Sequence, residues 1–281
     1  MTDKYCVFGN PVGHSKSPAI HAAFARQTGQ DLAYRAIAAP IGGFAGAVDA
    51  FVAEGGRGAN VTLPFKQEAY RLATRRTRRA EQAGAVNTLV FGNGEALGDN
   101  TDGVGLLRDI TLALDTPVRG RRILLLGAGG AARGVIGPLL DEQPESLTVA
   151  NRTAERARAL AACFAALGSV EGCGCGELSG RAFDIVIDAT SAGVSGAMPD
   201  LPAGLFAPGS LAYSMMYGPG ETPFCVFARE QGAGKVSDGL GMLLGQAAES
   251  FFVWRGVRPD CAPIAELLRK DQAFRRAVDA R

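Results

Sequence analysis

Arg121-Arg-Ile-Leu-Leu-Leu-Gly-Ala-Gly-Gly-Ala-Ala-Arg133 carries two signals in thirteen residues. The apolar run Ile123 to Leu126 predicts a buried strand, and Gly127 permits a turn into a helix beginning near Gly130. Gly127, Gly129 and Ala132 fit the spacing G-x-G-x-x-G/A, in which the first glycine makes the tight turn, the second admits a dinucleotide pyrophosphate, and the third small residue lets helix and strand pack closely. The phosphates then meet free N–H groups at a helix N-terminus. A chain with 38 Gly residues produces such spacings by accident, so the strand before and the helix after give this one its meaning.

Downstream, Ser146 to Asn151 predicts the second strand of the same nucleotide fold, ending in Asn151-Arg-Thr153. About twenty residues past the third small residue, an NAD site places Asp or Glu on the ribose hydroxyl. Here Asn151, Arg152 and Thr153 occupy that region, and a guanidinium with neutral donors suits a 2′-phosphate better. The plainer alternative is that Arg152, Arg156 and Arg158 are ordinary helix-surface charges. Asp184 to Asp188 predicts a further buried strand leading into Ala189-Thr-Ser-Ala-Gly193, and Leu211 to Met216 another, ending at Tyr217. Asp238 to Gly256 is a strongly apolar helix interrupted by Gln246, whose amide needs either a core hydrogen bond or a substrate hydroxyl.

Upstream, a strand at Tyr5 to Phe8 precedes Gly9-Asn-Pro-Val-Gly-His-Ser-Lys-Ser-Pro18. Ser17 is expected to cap a helix with Pro18 at its first position, which puts Ser15 and Ser17 at a positive helix end. They suit a carboxylate or phosphate; the plainer alternative is a cap and a solvated hydroxyl. His14 and His21, the two histidines, read first as surface or packing residues. A strand at Tyr34 to Ala38, a helix at Phe44 to Ala53 and a strand ending at Pro64 follow. Lys66 then falls near a helix start, where a cation is electrostatically misplaced, so it is a candidate for chemistry or else a solvated lysine. The five arginines between Arg71 and Arg79 are expected to be a solvated helix face. Ala83 to Phe91 predicts a strand, and Gly98-Asp-Asn-Thr-Asp-Gly103 a polar turn before a helix at about Val104 to Leu114, which Asp102 could simply cap. The alternation predicts an open α/β sheet, with Asn60, Lys66, Asn87 and Asp102 near strand ends.

Length and composition are consistent with this reading. A chain of 281 residues suits two domains, and 47% hydrophobic residues with a net charge of +1 argue against disorder, a nucleic-acid partner or charge-driven membrane attachment. No apolar run approaches a bilayer span and no signal-peptide core opens the chain, so a cytoplasmic location is expected. Six Cys without a completed zinc spacing read as reduced and structural, with no metal site.

Taken together, Phe8 to Pro18, Asn60-Val-Thr-Leu-Pro-Phe-Lys66, Gly84-Ala-Val-Asn-Thr88, Asp99-Asn-Thr-Asp-Gly103, Gly127 to Ala132, Asn151-Arg-Thr153 and Asp238-Gly-Leu-Gly-Met242 resemble the shikimate dehydrogenases over nearly the whole chain. The resemblance implies an α/β fold of two domains: a substrate-binding and catalytic domain at 1–102, a Rossmann-type NADP domain at 103–238, and C-terminal helices at 239–281 packing on the first. It implies Lys66 and Asp102 as the catalytic pair, and Ser15, Ser17, Thr62, Asn87, Tyr217 and Gln246 as shikimate contacts. For NADP it implies the loop Gly127, Ala128, Gly129, Gly130 and Ala131, the ribose end at Asn151, Arg152 and Thr153, and Thr190, Gly239 and Met242. The reaction implied is reversible NADPH-dependent reduction of 3-dehydroshikimate to shikimate, a step toward chorismate and the aromatic amino acids, by a monomer or homodimer. The alternatives are a quinate or quinate/shikimate dehydrogenase using NAD or NADP, and a non-catalytic nucleotide-binding regulator on the same fold. Two positions depart from the family pattern, Asp188 where Asn is expected and Ser214 where Asp is expected; both bear on cofactor affinity more than on reaction type.

Overall fold

A computed structural model describes residues 2–190, 200–218 and 220–279, the side chains of 271–279 excepted. Of the expected loop after Asp188, Ser191 to Gly193 lie outside the described residues. The chain forms two compact units, Met1–Gly105 with Leu244–Ile264, and Leu106–Leu243 with Ala265–Arg281.

In the first unit the chain runs β1 (Asp3–Gly9), α1 (Ser17–Thr28), β2 (Leu32–Ala38), α2 (Phe44–Ala53), β3 (Gly56–Val61), α3 (Lys66–Leu72), β4 (Arg75–Arg76), α4 (Arg78–Ala83), β5 (Thr88–Gly92), β6 (Glu95–Asp99) and the start of α5 (Asp102–Arg108). The sheet order is β2-β1-β3-β5-β6-β4. β1, β2 and β3 are parallel, but β5 pairs antiparallel with both β3 and β6. Asn93 and Gly94, with φ of 53° and 77°, close a two-residue hairpin between Gly92 and Glu95, the left-handed pair that an Asn-Gly turn favours. Phe8, Phe44, Phe51, Phe65 and Leu89 fill the core beside this sheet.

Two expectations change here. The stretch 83–91 is not one strand: Ala83 closes α4, Gly84 in a left-handed conformation ends it, and the strand begins only at Thr88. Nor do the arginines make one helix face: Arg71, Arg75 and Arg78 are exposed, but the five are spread over α3, β4 and α4. α3 stops at Leu72, and Arg79 on α4 turns inward to hold Asp99 through two contacts of 2.6 and 2.5 Å and Glu249 at 3.0 Å. Burial alone raises the Asp99 carboxyl, but the Arg79 guanidinium beside it holds it below the ordinary carboxylate range.

The second unit contains β7 (Arg122–Leu126), α6 (Gly130–Asp141), β8 (Ser146–Asn151), α7 (Ala154–Ala162), β9 (Val170–Gly174), β10 (Phe183–Asp188), β11 (Phe206–Ser214), α8 (Pro223–Glu230), β12 (Lys235–Ser237) and the start of α9 (Leu240–Arg255), with α10 at Ala262–Asp279. Its strands are all parallel in the order β12-β11-β10-β7-β8-β9, the doubly wound arrangement whose order reverses between β7 and β10. Ile123, Leu125, Leu147, Val149, Ile185 and Ile187 bury one face, and Leu124, Leu126, Val186 and Ala212 the other. Near-continuous apolar strands are what a parallel sheet covered on both faces requires. The helix expected from Val104 to Leu114 starts earlier, at Asp102, and passes after Arg108 into a π-helical turn at Asp109–Ala113.

Candidate active site

The first unit gathers its polar residues at one edge of its sheet. β3 and β6 end there, and because β5 runs the other way it begins there, which brings Asn87 to the same edge from the N-terminal side of its strand. Val61 N–H donates to the Asn87 carbonyl at 2.8 Å and Asn87 N–H to the Asp99 carbonyl at 3.0 Å, so the backbone itself fixes this edge.

Lys66, the first residue of α3, reaches Asp102, the first residue of α5: Nζ donates to Oδ2 at 2.6 Å. Asp102 does not serve as a helix cap. The Asn100 side chain takes that part, accepting the Asp102 backbone N–H at 3.1 Å, and the Asp102 carboxylate is turned instead to Lys66 and to Asn87, whose Nδ2 donates to Oδ1 at 2.8 Å. With side-chain exposures of 29% for Lys66 and 14% for Asp102, the pair is open enough to meet a ligand and enclosed enough to keep its geometry. A lysine at a helix N-terminus opposes the local dipole, and the Asp102 carboxylate offsets that cost.

Asn87 is buried and its carboxamide has one orientation. Thr101 N–H donates to Oδ1 at 2.9 Å, while Nδ2 faces the Asp102 carboxylate and, at 3.5 Å, Gln246 Oε1. Gln246 on α9 is therefore at the same edge. Half-buried Thr62 follows β3, and Ser15 and Ser17 stand at the start of α1. Ser17 does not cap α1: it is the first helical residue, Lys16 precedes it without a side-chain cap, and its backbone N–H donates to Ser15 Oγ at 3.3 Å. The Ser17 hydroxyl is thus not spent on capping a helix donor, and Ser15 Oγ takes only the Ser17 N–H, through a long contact.

The histidines divide. His14 is exposed. His21 is fully buried, stacked on Tyr34 at 4.2 Å between ring centroids and flanked by Trp254 and Phe251. Burial pulls its imidazole down from 6.5 to about 3, the Asn60 side chain countering this only in part, and neither ring nitrogen makes a hydrogen bond of good geometry among the described residues.

In the second unit the glycine turn has the shape a pyrophosphate needs. Gly127 has φ +106°, and a Cβ there would stand 3.1 Å from the Ala189 carbonyl group, so the loop closes against the end of β10 where the strand order reverses. At Gly129 and Gly130 a Cβ would meet nothing within 4 Å among the described residues, and Gly129 precedes α6 without any side-chain cap. That leaves half-buried Ala128 with exposed Gly129, Gly130 and Ala131 as a cradle of backbone around a helix N-terminus. At the end of β8, Arg152 and Thr153 are exposed, and Asn151 Nδ2 donates to the Thr153 carbonyl at 3.0 Å. The residues present fit an NADP: a glycine cradle, and an arginine where NAD enzymes carry a carboxylate.

Thr190 donates to Asp188 Oδ1 through its N–H at 3.0 Å and its hydroxyl at 2.7 Å, and burial raises the Asp188 carboxyl. Ser214, the other departure, is its register partner on β11. Gly239 packs against the Met215 carbonyl, and Met242 N–H donates to Tyr213 Oη at 3.2 Å, which in turn donates to Asp109 at 2.6 Å. Tyr217, half-buried, follows β11 and has its phenol raised by burial. Among the described residues no group of three His, Cys, Asp or Glu is placed to hold a metal ion, and no helix is long and apolar enough to cross a membrane.

Tyr34 and Ser250 lie outside every motif quoted above, and Thr88 and Thr101 lie within two of them without a role of their own, yet with Asn60 these four form the hydrogen bonds behind this edge. One hint is available for Ser250: it lies four residues after Gln246, hence on the same helix face.

The family model for the shikimate dehydrogenase substrate binding domain matches residues 7–89, that for shikimate/quinate 5-dehydrogenase residues 111–195, and that for the shikimate 5′-dehydrogenase C-terminal domain residues 239–269. A shikimate dehydrogenase (NADP(+)) of Dechloromonas aromatica is 63% identical over 269 residues, covering 96% of this chain and 98% of its own. The chain belongs to the shikimate dehydrogenase family. Among solved structures of similar chains, the Ael1 enzyme of Pseudomonas putida matches with a TM-score of 0.90 at 46% identity, over 95% of this chain and 98% of that one. The shikimate 5-dehydrogenase of Thermus thermophilus, in complex with NADP(H) and shikimate, matches with a TM-score of 0.84 at 33% identity, over 96% and 99%. Both share the α/β fold, with its substrate-binding and Rossmann-type parts, and this chain is an oxidoreductase of that family.

Proposed function

We propose that the protein is an NADP-dependent shikimate dehydrogenase that reversibly reduces 3-dehydroshikimate to shikimate on the route to chorismate. The observation that carries the reading is the 2.6 Å contact of Lys66 with Asp102, held by Asn87, in a chain whose curated relatives are named shikimate dehydrogenase (NADP(+)). Lys66 and Asp102 are the catalytic pair of this reading. Bound NADPH supplies the hydride. As negative charge develops on the ketone oxygen, the Lys66 ammonium stabilises it and delivers a proton; in the oxidising direction Lys66 takes that proton back. Asp102 Oδ2 holds Lys66 in place, and Asn87 Nδ2 holds the second carboxylate oxygen, so that two ammonium protons remain for the substrate.

Ser15 and Ser17 receive the substrate carboxylate with neutral donors, while Thr62, Asn87, Gln246 and Tyr217 bind its hydroxyls. Gly127, Ala128, Gly129, Gly130 and Ala131 hold the pyrophosphate, Asn151, Arg152 and Thr153 the 2′-phosphate, and Thr190, Gly239 and Met242 line the nicotinamide end. The reading extends to a cytoplasmic monomer or homodimer, since both ligands are soluble small molecules.

Purified protein assayed with shikimate and with quinate, each with NADP and with NAD, tests this. The highest kcat/KM is expected for shikimate with NADP. A preference for quinate or for NAD, or no turnover with any pair, would overturn it.

A further inference from the structure

Three hydroxyls that the reaction does not use meet behind the substrate edge of the first unit. Ser250 Oγ on α9 lies 2.8 Å from Thr88 Oγ1 and 3.2 Å from Thr101 Oγ1, and the two threonine oxygens are 3.4 Å apart. All three residues are completely buried. Such a cluster is costly unless every proton has an acceptor, so the way its protons are directed has structural force.

Ser250 shares its one proton between Thr88 Oγ1 at 2.8 Å and the Gln246 carbonyl at 3.0 Å, one helical turn back. Its lone pairs then accept from Asn60 Nδ2 at 2.9 Å, the shortest of the three contacts of that nitrogen; the other two, to the Asn87 carbonyl and Thr88 Oγ1, are each 3.2 Å. Asn60 Oδ1 accepts from Tyr34 Oη at 2.8 Å, so its carboxamide is held at both ends. Thr88 and Thr101 direct their hydroxyls to Asn87 Oδ1 at 2.9 and 3.1 Å, which turns Asn87 Nδ2 toward Asp102. A single oxygen therefore ties the helix turn bearing Gln246 to the amides of Asn60 and Asn87, and through Asn87 to the Lys66–Asp102 pair.

We propose that Ser250 is a positioning residue: its hydroxyl, acting with Thr88, orients Asn60 and the Gln246 turn of α9 for substrate binding without touching the substrate. The proposal rests on the shikimate dehydrogenase reading above. Removing the Ser250 oxygen leaves a buried Asn60 N–H to share two longer contacts and frees the Gln246 turn from the sheet edge. The substrate constant should feel this; the glycine cradle of the second unit should not.

The test is steady-state kinetics on Ser250→Ala and Thr88→Val, with Ser250→Thr as the variant that restores a hydroxyl, each checked by thermal unfolding. For Ser250→Ala the KM for shikimate should rise about five- to tenfold, the equivalent of one neutral hydrogen bond, with the KM for NADP within about twofold. Thr88→Val should do the same, the double variant should lose less than the product of the two, and Ser250→Thr should recover most of the loss. A lowered unfolding temperature with an unchanged shikimate KM would show a packing role only and overturn the proposal, as would losses shared equally between shikimate and NADP. If the unmodified enzyme turns over shikimate while Ser250→Ala matches it, this proposal alone falls. If the unmodified enzyme turns over no shikimate, the functional reading falls and takes the proposal with it.

Discussion

The two sheets have the same number of strands and opposite interiors. In the parallel sheet of the second unit the strand residues are aliphatic, from Ile123 to Leu126 and Ile185 to Ile187, and the proposed pyrophosphate contacts are backbone groups in the turn after the first of these strands. At one edge of the mixed sheet of the first unit, Asn60, Asn87, Thr88, Asp99, Asn100 and Thr101 are all buried, and they hydrogen-bond one another and nearby backbone instead of facing water. A site that recognises phosphates through N–H groups needs only a correctly bent chain. A site that must aim an ammonium at one oxygen needs side chains held by other side chains, and a buried polar network supplies that rigidity when every member is satisfied.

The contrast breaks most sharply at Lys66. Lys66→Ala should lose about 10²–10⁴-fold in kcat while NADP binding persists, because a positioned proton donor contributes on that scale. Asp102→Asn should also be slow, and the double variant should lose less than the product of the single losses, since groups acting as a unit are non-additive. A kinetic cycle on the four folded proteins checks this; near-normal turnover of Lys66→Ala would refute the assignment.

The second unit should respond differently. Arg152→Ala should weaken NADP by about ten- to a hundredfold, the loss of a charge-assisted contact worth roughly 1.5–3 kcal/mol, and leave NAD almost unchanged. Titration of the folded variant with each cofactor decides it, and equal losses would remove the 2′-phosphate role. Smaller again is the effect of Ser15→Ala or Ser17→Ala, each expected to raise the shikimate KM by about five- to tenfold with the NADP constant steady. If both constants move together, the serines do not hold the carboxylate.

The smallest effect at neutral pH belongs to His21, and it grows in acid. Its pKa falls from 6.5 in the unfolded chain to about 3 when folded. Between those values the unfolded state binds the extra proton, so stability is complete above about 6.5 and is lost as pH falls toward 3, by up to roughly 1.4 kcal/mol per unit. His21→Phe should flatten that slope in denaturant titrations between pH 7 and pH 4, and an unchanged slope would exclude His21 as its source.

How much of this was legible depended on whether the demand was local. The strand, turn and helix at Ile123 to Asp141 could be read directly, because the glycine spacing and the apolar run are properties of neighbours in sequence. Lys66 and Asp102, 36 residues apart, could be paired only through a family resemblance. Asn93-Gly94 is the local signal for the antiparallel direction of β5, and that direction is the reason Asn87 reaches the site from the start of a strand. Arg79 looked like one more surface charge because its partners, Asp99 and Glu249, lie 20 and 170 residues away. Tertiary partners at such separations leave no trace in local pattern.

The Asn93-Gly94 hairpin also matters to anyone who wants to handle the protein. β5 leaves the chemical edge at Thr88 and β6 returns to it at Asp99, so the turn stands a strand length, about 17 Å, away on the opposite rim. A short affinity tag or a dye-bearing loop spliced between Asn93 and Gly94 would ride on the fold without entering its chemistry. Such an insert should leave kcat and both Michaelis constants within about twofold, provided the flanking strands keep their register. That would make this turn a place to tether the enzyme to a bead or an electrode with its working edge facing outward.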